Sequence, residues 1–220
     1  MAKQCADITP SGIRQRYLVD LLYMIVTSMR GIAAKLDSDT SVTDTDYNAN
    51  LDAVMNLIVE NSTGSRVQVV TGESSTLPPV VRITPIAFDK ARFCDLLYMI
   101  YDAWETLCEQ LDADANPATN RTYEANTYTA KFLHMVENSR GNTLGNSAGW
   151  PDGTPYYFRL GSFDQRQVVD ALYNIVDAIE TFCEQADTDA APADSNYEAL
   201  WFTANITLTV ENSQGSKVGN

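Results

Sequence analysis

The chain has 220 residues, of which 45% are hydrophobic, and its formal net charge is −14 with a pI near 4.3. A chain of this length can bury a sizeable core in one domain or two, whereas so acidic a surface repels nucleic acid and anionic membranes. The opening MAKQCADITP lacks the apolar run of a signal peptide, and no stretch approaches the ~20 apolar residues of a membrane helix, so we expect a cytoplasmic product without membrane contact.

The first predicted element is a long helix with an apolar seam. After the lead-in CADITPSG, apolar side chains recur at alternating steps of four and three residues, which places them along one line of an α-helix. Proline, glycine and serine suit the entrance of a helix, so this one should begin near residue 12 and run for about 26 residues, roughly 40 Å. The seam and its flanking row are Leu18, Leu22, Ile25, Met29, Ile32 and Leu36 with Val19, Val26 and Ala33.

The same apolar face occurs three times, at shifts of about 75 residues. So many matches in one order indicate an internal triplication, and the other two long helices should begin near residues 87 and 162. Matched aspartates and tyrosines accompany the face in all copies: Asp20, Asp95 and Asp170, then Tyr23, Tyr98 and Tyr173. The other two faces are Phe93, Leu97, Ile100, Trp104, Leu107 and Leu111 with Cys94, Tyr101 and Cys108, and Val168, Leu172, Ile175, Ile179, Phe182 and Ala186 with Val169, Val176 and Cys183.

An acidic turn and a shorter second arm follow each long helix. The turns read LDSDTSVTDTDY, LDADANPATNRTY and ADTDAAPADSNY. Each copy then closes on Glu-Asn-Ser-x-Gly, a pattern that suits the end of a helix. In the third copy the stretch NITLTV alternates as a strand would, so helix and strand both remain open there. The predicted helical arms run from Tyr47, Tyr123 and Tyr197 to about Asn61, Asn138 and Asn212.

The segments between the copies have β character. Residues 66–70 and 80–84 are rich in β-branched side chains and flank GESSTLPP, which predicts a small hairpin, and residues 156–160 predict a strand. Such strands could form a modest sheet that caps the helices. We divide the chain into copies at 1–65, 87–141 and 162–220, a β-like connector at 66–86 and a turn-rich connector at 142–161. The predicted fold is mainly α, with three tandem αα-hairpin repeats of about 75 residues packed as one compact unit.

Two packings would bury the three apolar faces. In a closed arrangement the long helices meet around a pseudo-threefold axis, with Leu22, Leu97 and Leu172 in one layer. In an open arrangement the hairpins stack as a short solenoid. Closure is favoured because a period of about 75 residues is longer than that of usual solenoids.

The acidic turns are the strongest candidates for chemistry. Asp37, Asp39, Asp44 and Asp46 lie close together, and carboxylate oxygens at alternate positions suit calcium. The turn lacks the glycine and the bidentate glutamate of an EF-hand loop. Capping is the favoured alternative, because side chains at 44 and 46 and at the matching positions can accept hydrogen bonds from the N–H groups that open the second arm.

The patterns around the histidine, the cysteines and the matched aspartates indicate structural roles. We therefore expect neither enzymatic activity nor a cofactor. His134 is the single histidine and belongs to no catalytic, phosphate-binding or metalloprotease motif. Three of the four cysteines lie in the apolar face, which predicts reduced, buried thiols. The matched aspartates should be solvated edge residues or partners of arginines on the same helix. The residues concerned are Cys5, Cys94, Cys108 and Cys183, and Arg16, Arg92 and Arg166.

One stretch carries a resemblance. The turn LDSDTSVTDTDY after the helix LVDLLYMIVTSMRGIAAK resembles a repeat of tailed-bacteriophage virion proteins, in which a helix, an acidic LDxDxxVTDTDY turn and a second helix follow one another. The match covers about residues 17–58. The second and third copies keep the helix, LDAD or ADTD, and the tyrosine, but lose VTDTD. The resemblance implies a structural part of the virion and carries over no catalytic residue.

These observations predict a non-enzymatic structural component of a phage particle, either a capsid-associated accessory or decoration protein or a neck protein. It would be assembled in the host cytoplasm, reside in the virion and bind capsid or neck subunits, with homo-oligomerisation left open. Exposed aromatics of the connectors, Trp150, Tyr156 and Tyr157, are the interface candidates. Two alternatives remain open: a cytosolic helical-repeat adaptor that binds a peptide or protein in a groove, and a calcium-dependent binding module.

Overall fold

A computed structural model describes residues 7–9, 12–39, 46–71, 79–85, 89–114, 122–145, 156–159, 163–189 and 196–219. Helices outweigh strands among them, which confirms the prediction of a mainly α fold. The elements, in chain order, are β1 (Asp7–Ile8), α1 (Gln15–Ser38), α2 (Tyr47–Ala53), β2 (Asn56–Glu60), β3 (Arg66–Val70), β4 (Val81–Ile83), α3 (Lys90–Asp114), the π-helical π1 (Glu124–Thr129), β5 (His134–Glu137), β6 (Thr143–Gly145), β7 (Tyr156–Phe158), α4 (Gln165–Thr188), the π-helical π2 (Glu198–Thr203), β8 (Thr209–Glu211) and β9 (Lys217–Val218).

The three long helices each begin slightly later than the sequence predicted. In two of them, α3 and α4, a carboxylate caps the first turn. Asp164 accepts the Gln167 N–H at 2.9 Å, and the Gln167 side chain accepts the Asp164 N–H at 2.9 Å, a reciprocal cap for α4. Asp89 caps α3 through the Arg92 N–H at 2.9 Å. Among the described residues, Gly12 and Pro85 lie before the helices and not inside them.

The predicted apolar face is buried in every copy. Trp104 of α3 is 1% exposed, and its ring packs edge-on against Phe182 of α4, with 5.2 Å between the centroids. Helix α1 contacts both α3 and α4. The seams therefore face one another, and each large apolar side chain buried there contributes about 1.5–3 kcal/mol to folding.

Helix α1 departs from the expectation that no stretch approaches a membrane span. Among the described helices it is the one that meets the length and hydropathy of such a span. Of the window that does so, 56% is buried inside the protein. Core helices of globular proteins have the same length and composition, and the apolar face of α1 is used in that way here.

The second arms are shorter helices than predicted, so the αα-hairpin is wrong in its second half. Helix α2 ends at Ala53 and strand β2 begins at Asn56, where the sequence predicted helix to about Asn61. The other copies have short π-helical segments followed by β5 and β8. Buried β-branched residues such as Ile58 and Val59 favour a strand that is paired on both sides. In the third copy the strand alternative left open for NITLTV is confirmed only at its end, where Thr209 and Val210 belong to β8.

Three small sheets share one plan. A central strand is flanked by an antiparallel strand, which follows it after the Glu-Asn-Ser-x-Gly turn, and by a parallel lead-in strand that precedes a long helix. The orders are β3-β2-β4, β6-β5-β7 and β1-β8-β9. The predicted hairpin of residues 66–70 with 80–84 is therefore wrong, because β2 lies between β3 and β4. The predicted single capping sheet is also wrong, because the strands of the described residues form three separate sheets.

The first and third copies are joined directly. Strand β1 pairs in parallel with β8, and Ile8 lies opposite Val210. The indole of Trp201 in π2 covers Gly31 of α1 so closely that a Cβ at position 31 would stand 2.1 Å from the ring. These contacts bring β1 and α1 of the first copy directly against β8 and π2 of the third.

Candidate functional site

An aspartate in the last turn of each long helix caps the next helical arm. Asp37 accepts the N–H of Tyr47 at 2.8 Å on one oxygen and that of Asn48 at 3.1 Å on the other. Both carboxylate oxygens are thus committed to N–H groups that open a helix, where negative charge is favourable. The matching bonds are Asp112 to Tyr123 and Glu124 at 2.8 and 2.9 Å, and Asp187 to Tyr197 and Glu198 at 2.6 and 3.1 Å.

The four aspartates predicted as calcium ligands have separate environments. Asp39 is buried at the end of α1, and its N–H bonds to the Leu36 carbonyl at 3.0 Å. Asp46 is exposed and makes no side-chain capping bond, so the predicted capping role is wrong for residue 46 and is performed by Asp37 instead. Asp44 lies outside the described residues. In the part of the chain that the structure describes, no three His, Cys, Asp or Glu side chains are grouped as a metal site.

A second row of aspartates binds the turn that closes each copy. Asp20 accepts the Ser62 N–H at 2.6 Å and the Ser62 hydroxyl at 2.8 Å. In the other copies Asp95 accepts the Ser139 N–H and Asp170 the Ser213 N–H, each at 2.6 Å. These charge-assisted bonds attach every β-hairpin to its long helix.

The predicted role of this row is confirmed for Asp20 and needs correction in the other two copies. Asp95 is 6% exposed and Asp170 is fully buried, so neither is a solvated edge residue. Arg16 lies 4.0 Å from Asp20 on the same helix, as predicted, whereas Arg92 pairs with Asp89 at 3.3 Å. The sequence placed the arginines correctly on the helices, but the hairpin turn, which lies far away in sequence, supplies the stronger partners.

The Glu-Asn-Ser-x-Gly pattern forms a hairpin turn and does not end a helix. The Asn61 side chain accepts the N–H groups of Thr63 and Ser65 at 3.1 and 2.8 Å, and the Asn61 N–H donates to the Ser65 carbonyl at 2.9 Å. Gly64 has a φ of 86°, a conformation that residues with a Cβ seldom adopt. The turn therefore leads β2 directly into β3.

His134 lies inside the protein between the second and third copies. It is 0% exposed, and its Nδ1 lies 3.1 Å from the Asn174 amide nitrogen of α4. Because that nitrogen can only donate, Nδ1 is the acceptor and the ring is neutral. Burial lowers the pKa of His134 to about 4. The imidazole packs edge-on against Phe158 at 5.5 Å, so it links β5 to its neighbours.

The three described cysteines are free and buried, as predicted. Burial raises the pKa of Cys94 to about 12 and also raises the pKa of Cys108 and Cys183. The Cys108 sulfur lies 3.0 Å from the Thr127 hydroxyl. These groups remain thiols at neutral pH and are poor nucleophiles. Cys5 lies outside the described residues.

A polar cleft of about 410 Å³ lies between the second and third copies. Its lining includes Lys131, Asn174, Asp177 and Asn212. The Lys131 amine lies 2.8 Å from the Asp177 carboxylate, so the two charges satisfy each other. The volume is within the range of small-molecule sites, and its amides could orient a polar molecule through hydrogen bonds.

Asp102 of α3 matches Asp177 of α4 in the repeat but has a different environment. Burial raises the pKa of Asp102 to about 6. At the positions that match Lys131 in the sequence, the first copy has the apolar residues Val54 and Met55. A carboxylate removed from water in this way favours its neutral form and lowers stability when it is charged.

The interface candidates fall mostly outside the described residues. Trp150 is not among them. Tyr156 and Tyr157 belong to β7, whose backbone pairs in parallel with β5 opposite His134 and Met135. The side chains of both tyrosines lie outside the described part, so their candidacy stays a prediction.

Charge is divided unevenly between two halves of the molecule. The turn half, the described residues within 27–54, 102–131 and 177–205, has sixteen carboxylates and three Lys or Arg. The hairpin half, those within 7–20, 60–95, 137–170 and 211–219, has nine carboxylates and ten Lys or Arg. Side-chain bonds of Asn50 to Gln110 at 3.0 Å and Asn126 to Gln185 at 3.1 Å connect the turn regions of successive copies. The acidic character therefore collects in the turn half.

Sequence reasoning missed two contacts that organise the molecule. The capping by Asp37 had a signal, because an aspartate recurs at that place in all three copies. The contact of Gly31 with Trp201 had no such signal, since the positions that match Gly31 are Thr106 and Thr181.

Comparison of the chain with protein-family models, curated proteins and solved structures gave no match.

Proposed function

We propose that this chain is a non-enzymatic structural component of a tailed-phage particle, either a capsid-associated accessory or decoration protein or a neck protein. The observation that carries the proposal is that the recurring polar side chains bind other groups of the protein itself. Asp37, Asp20 and their counterparts hold backbone groups, and His134 binds Asn174 inside the protein. Such a molecule is built to present stable surfaces. The resemblance of residues 17–58 to a repeat of virion proteins is the reason for proposing a phage particle.

The proposal includes a finer description of the fold. The chain would be three tandem repeats of about 75 residues, each a long helix with a second arm, closed around one core with short β segments between them. The recurring order of elements and the recurring aspartate bonds support this description.

The partners would be capsid or neck subunits in the virion, with assembly in the host cytoplasm. The excess of carboxylates in the turn half disfavours contact with nucleic acid or anionic membrane. Protein surfaces that carry complementary charge are the better fit.

Quantitative mass spectrometry of purified particles tests the proposal. The chain should co-purify through a density gradient and a high-salt wash, in a fixed ratio to the capsid protein. An abundant host protein from the same lysate serves as the control for carry-over. If the chain remains in the particle-free fraction, the proposal fails and a cytosolic adaptor becomes the better explanation.

Metal removal tests the calcium alternative separately. Because both oxygens of Asp37 accept backbone N–H groups, we expect a chelator to leave the melting temperature unchanged. Measurement of thermal unfolding with chelator and with added calcium decides this. A calcium-dependent rise in melting temperature would favour the binding module instead.

A further inference from the structure

Strand β3 is an open edge of its sheet. Residues Arg66–Val70 pair with β2 on one side, and among the described residues no strand lies on the other side. An edge strand presents N–H and C=O groups that can pair with a strand of another molecule. The strands at the same place in the other sheets are shorter: β3 has 5 residues, β6 has 3 and β9 has 2.

This edge carries little of the usual protection. Proteins guard edge strands with proline, central charges or bulges, but the one charge in β3 is Arg66 at its first residue, which pairs with Glu60 across the sheet. Val70 at the other end is 47% exposed, and it is one of three large hydrophobic side chains exposed in the described part of the chain.

We propose that β3 pairs with β3 of a second copy of this chain, antiparallel about a twofold axis, so that two three-stranded sheets become one of six strands. Centred pairing places Gln68 opposite Gln68 of the second copy and Arg66 opposite Val70 of the second copy. A parallel pairing would set the two Arg66 side chains against each other, which is unfavourable. The antiparallel arrangement is self-complementary, as a twofold interface requires.

The charge distribution favours this occupant and this place. Two molecules with a net charge of −14 repel each other at most contacts. Strand β3 belongs to the hairpin half, where ten cations nearly balance nine carboxylates. Contact there avoids the repulsion that the turn half, with sixteen carboxylates against three cations, would cause.

Opposite charges introduced at Val70 test the pairing by sedimentation equilibrium over a wide range of protein concentration. Val70→Lys places a lysine opposite Arg66 of the second copy, twice per dimer, and should weaken dimerisation on the order of tenfold. Val70→Glu removes the same valine but places a carboxylate there, so the dimer should be retained or tightened. General repulsion between acidic chains predicts the reverse order, which makes the comparison decisive.

Leu200→Lys and Leu200→Glu are the matched controls, because Leu200 is also 47% exposed but lies in the turn half. We expect both to dimerise within about twofold of the wild type, since one distant charge changes association weakly. The proposal does not depend on the proposed function. It is overturned if the wild-type chain is monomeric at every concentration, if Val70→Glu weakens the dimer more than Val70→Lys, or if Leu200→Lys disrupts it as strongly.

Discussion

Two aspartates on each long helix accept hydrogen bonds from backbone N–H groups of neighbouring segments. Near its start, Asp20 binds the N–H and hydroxyl of Ser62 in the hairpin turn. Near its end, Asp37 binds the first N–H groups of the second arm. A carboxylate that accepts backbone N–H groups is worth about 1.5–3 kcal/mol for each bond, more than a neutral acceptor. Two such residues per copy therefore fix the order of the segments around each helix.

Removal of one hairpin anchor should cost measurable stability. Asp95→Ala deletes the acceptor of the Ser139 N–H at a site that is 6% exposed. We expect a loss of about 1–3 kcal/mol in the free energy of unfolding, because the donor loses its partner. Urea denaturation measures this, and Glu109→Ala, an exposed carboxylate on the same helix, is the control with a change below about 0.5 kcal/mol. Equal effects of the two substitutions would contradict the anchor.

Asp102 and Asp177 should respond with opposite signs to the same substitution. Burial raises the pKa of Asp102 to about 6, so the folded state holds its proton more tightly than the unfolded chain does. That contribution is present at low pH and is lost as the pH rises from near 4 through 6. Asp102→Asn should therefore stabilise the protein at pH 7 and change little at pH 4. Asp177→Asn should destabilise it at pH 7, because Lys131 loses its partner at 2.8 Å.

Unfolding by urea at several pH values measures both effects. The difference between Asp102→Asn and the wild type should grow with pH over this window. A difference that stays constant, or that shrinks as the pH rises, would show that Asp102 is not the group whose charge lowers stability.

At the scale of elements, the long helices were predictable and the second arms were not. The seam of Leu18, Leu22 and Ile25 identifies its helix locally, since the heptad spacing lies within one segment. Strand β2 becomes a strand because β3 and β4 pair with its two edges, and β4 lies more than twenty residues farther along the chain. Distant partners decide such a segment, and periodicity within it is a weak guide.

The candidate sites show the same limit. The sequence predicted that side chains next to each second arm would cap it. It placed the role on Asp46, next to the arm, whereas Asp37 at the end of the preceding helix performs it. A turn can bring a carboxylate back to a helix start from ten residues away, and a single sequence does not reveal how the turn is folded.

The contact between π2 and α1 should reverse the usual effect of alanine in a helix. Gly31→Ala would normally gain about 1 kcal/mol of helix propensity. Here the added Cβ would stand 2.1 Å from the Trp201 ring, so we expect a net loss of about 1–3 kcal/mol from overpacking. Thermal and urea unfolding measure the change.

The control is the same alanine in a Trp201→Leu background. Without the indole the Cβ has room, and Gly31→Ala should then stabilise by up to about 1 kcal/mol. A stabilising Gly31→Ala in the wild-type background would contradict the close contact of the first and third copies.

For the whole molecule, a strand of only two residues, β1, is one of the contacts that join the first copy to the third. Ile8 of β1 is fully buried beside β8, as Ile83 of β4 is beside β2. If β1 completes its sheet as β4 does, Ile8→Ala and Ile83→Ala should each cost about 2–4 kcal/mol. Hydrogen exchange should show the loss of protection at β8 for the first variant and at β2 for the second.

Ile13→Ala is a control for the lead-in segment, since Ile13 is only partly buried against the core. Its cost should be less than half that of Ile8→Ala. An Ile8→Ala variant as stable as the wild type would mean that β1 contributes nothing to joining the ends of the chain.

The lead-in strands also determine how the molecule should respond to a broken backbone. Strand β4 pairs with β2 across the first connector, β7 pairs with β5 across the second, and β1 pairs with β8. A protease cut between β3 and β4, or between β6 and β7, therefore leaves the two fragments sharing two sheets. Dissociation then requires two sheets to separate and the shared helical core to open at the same time. We expect nicked protein to run as one particle on a sizing column and to fall apart only in denaturant. Cleavage of the backbone would therefore leave the two fragments associated.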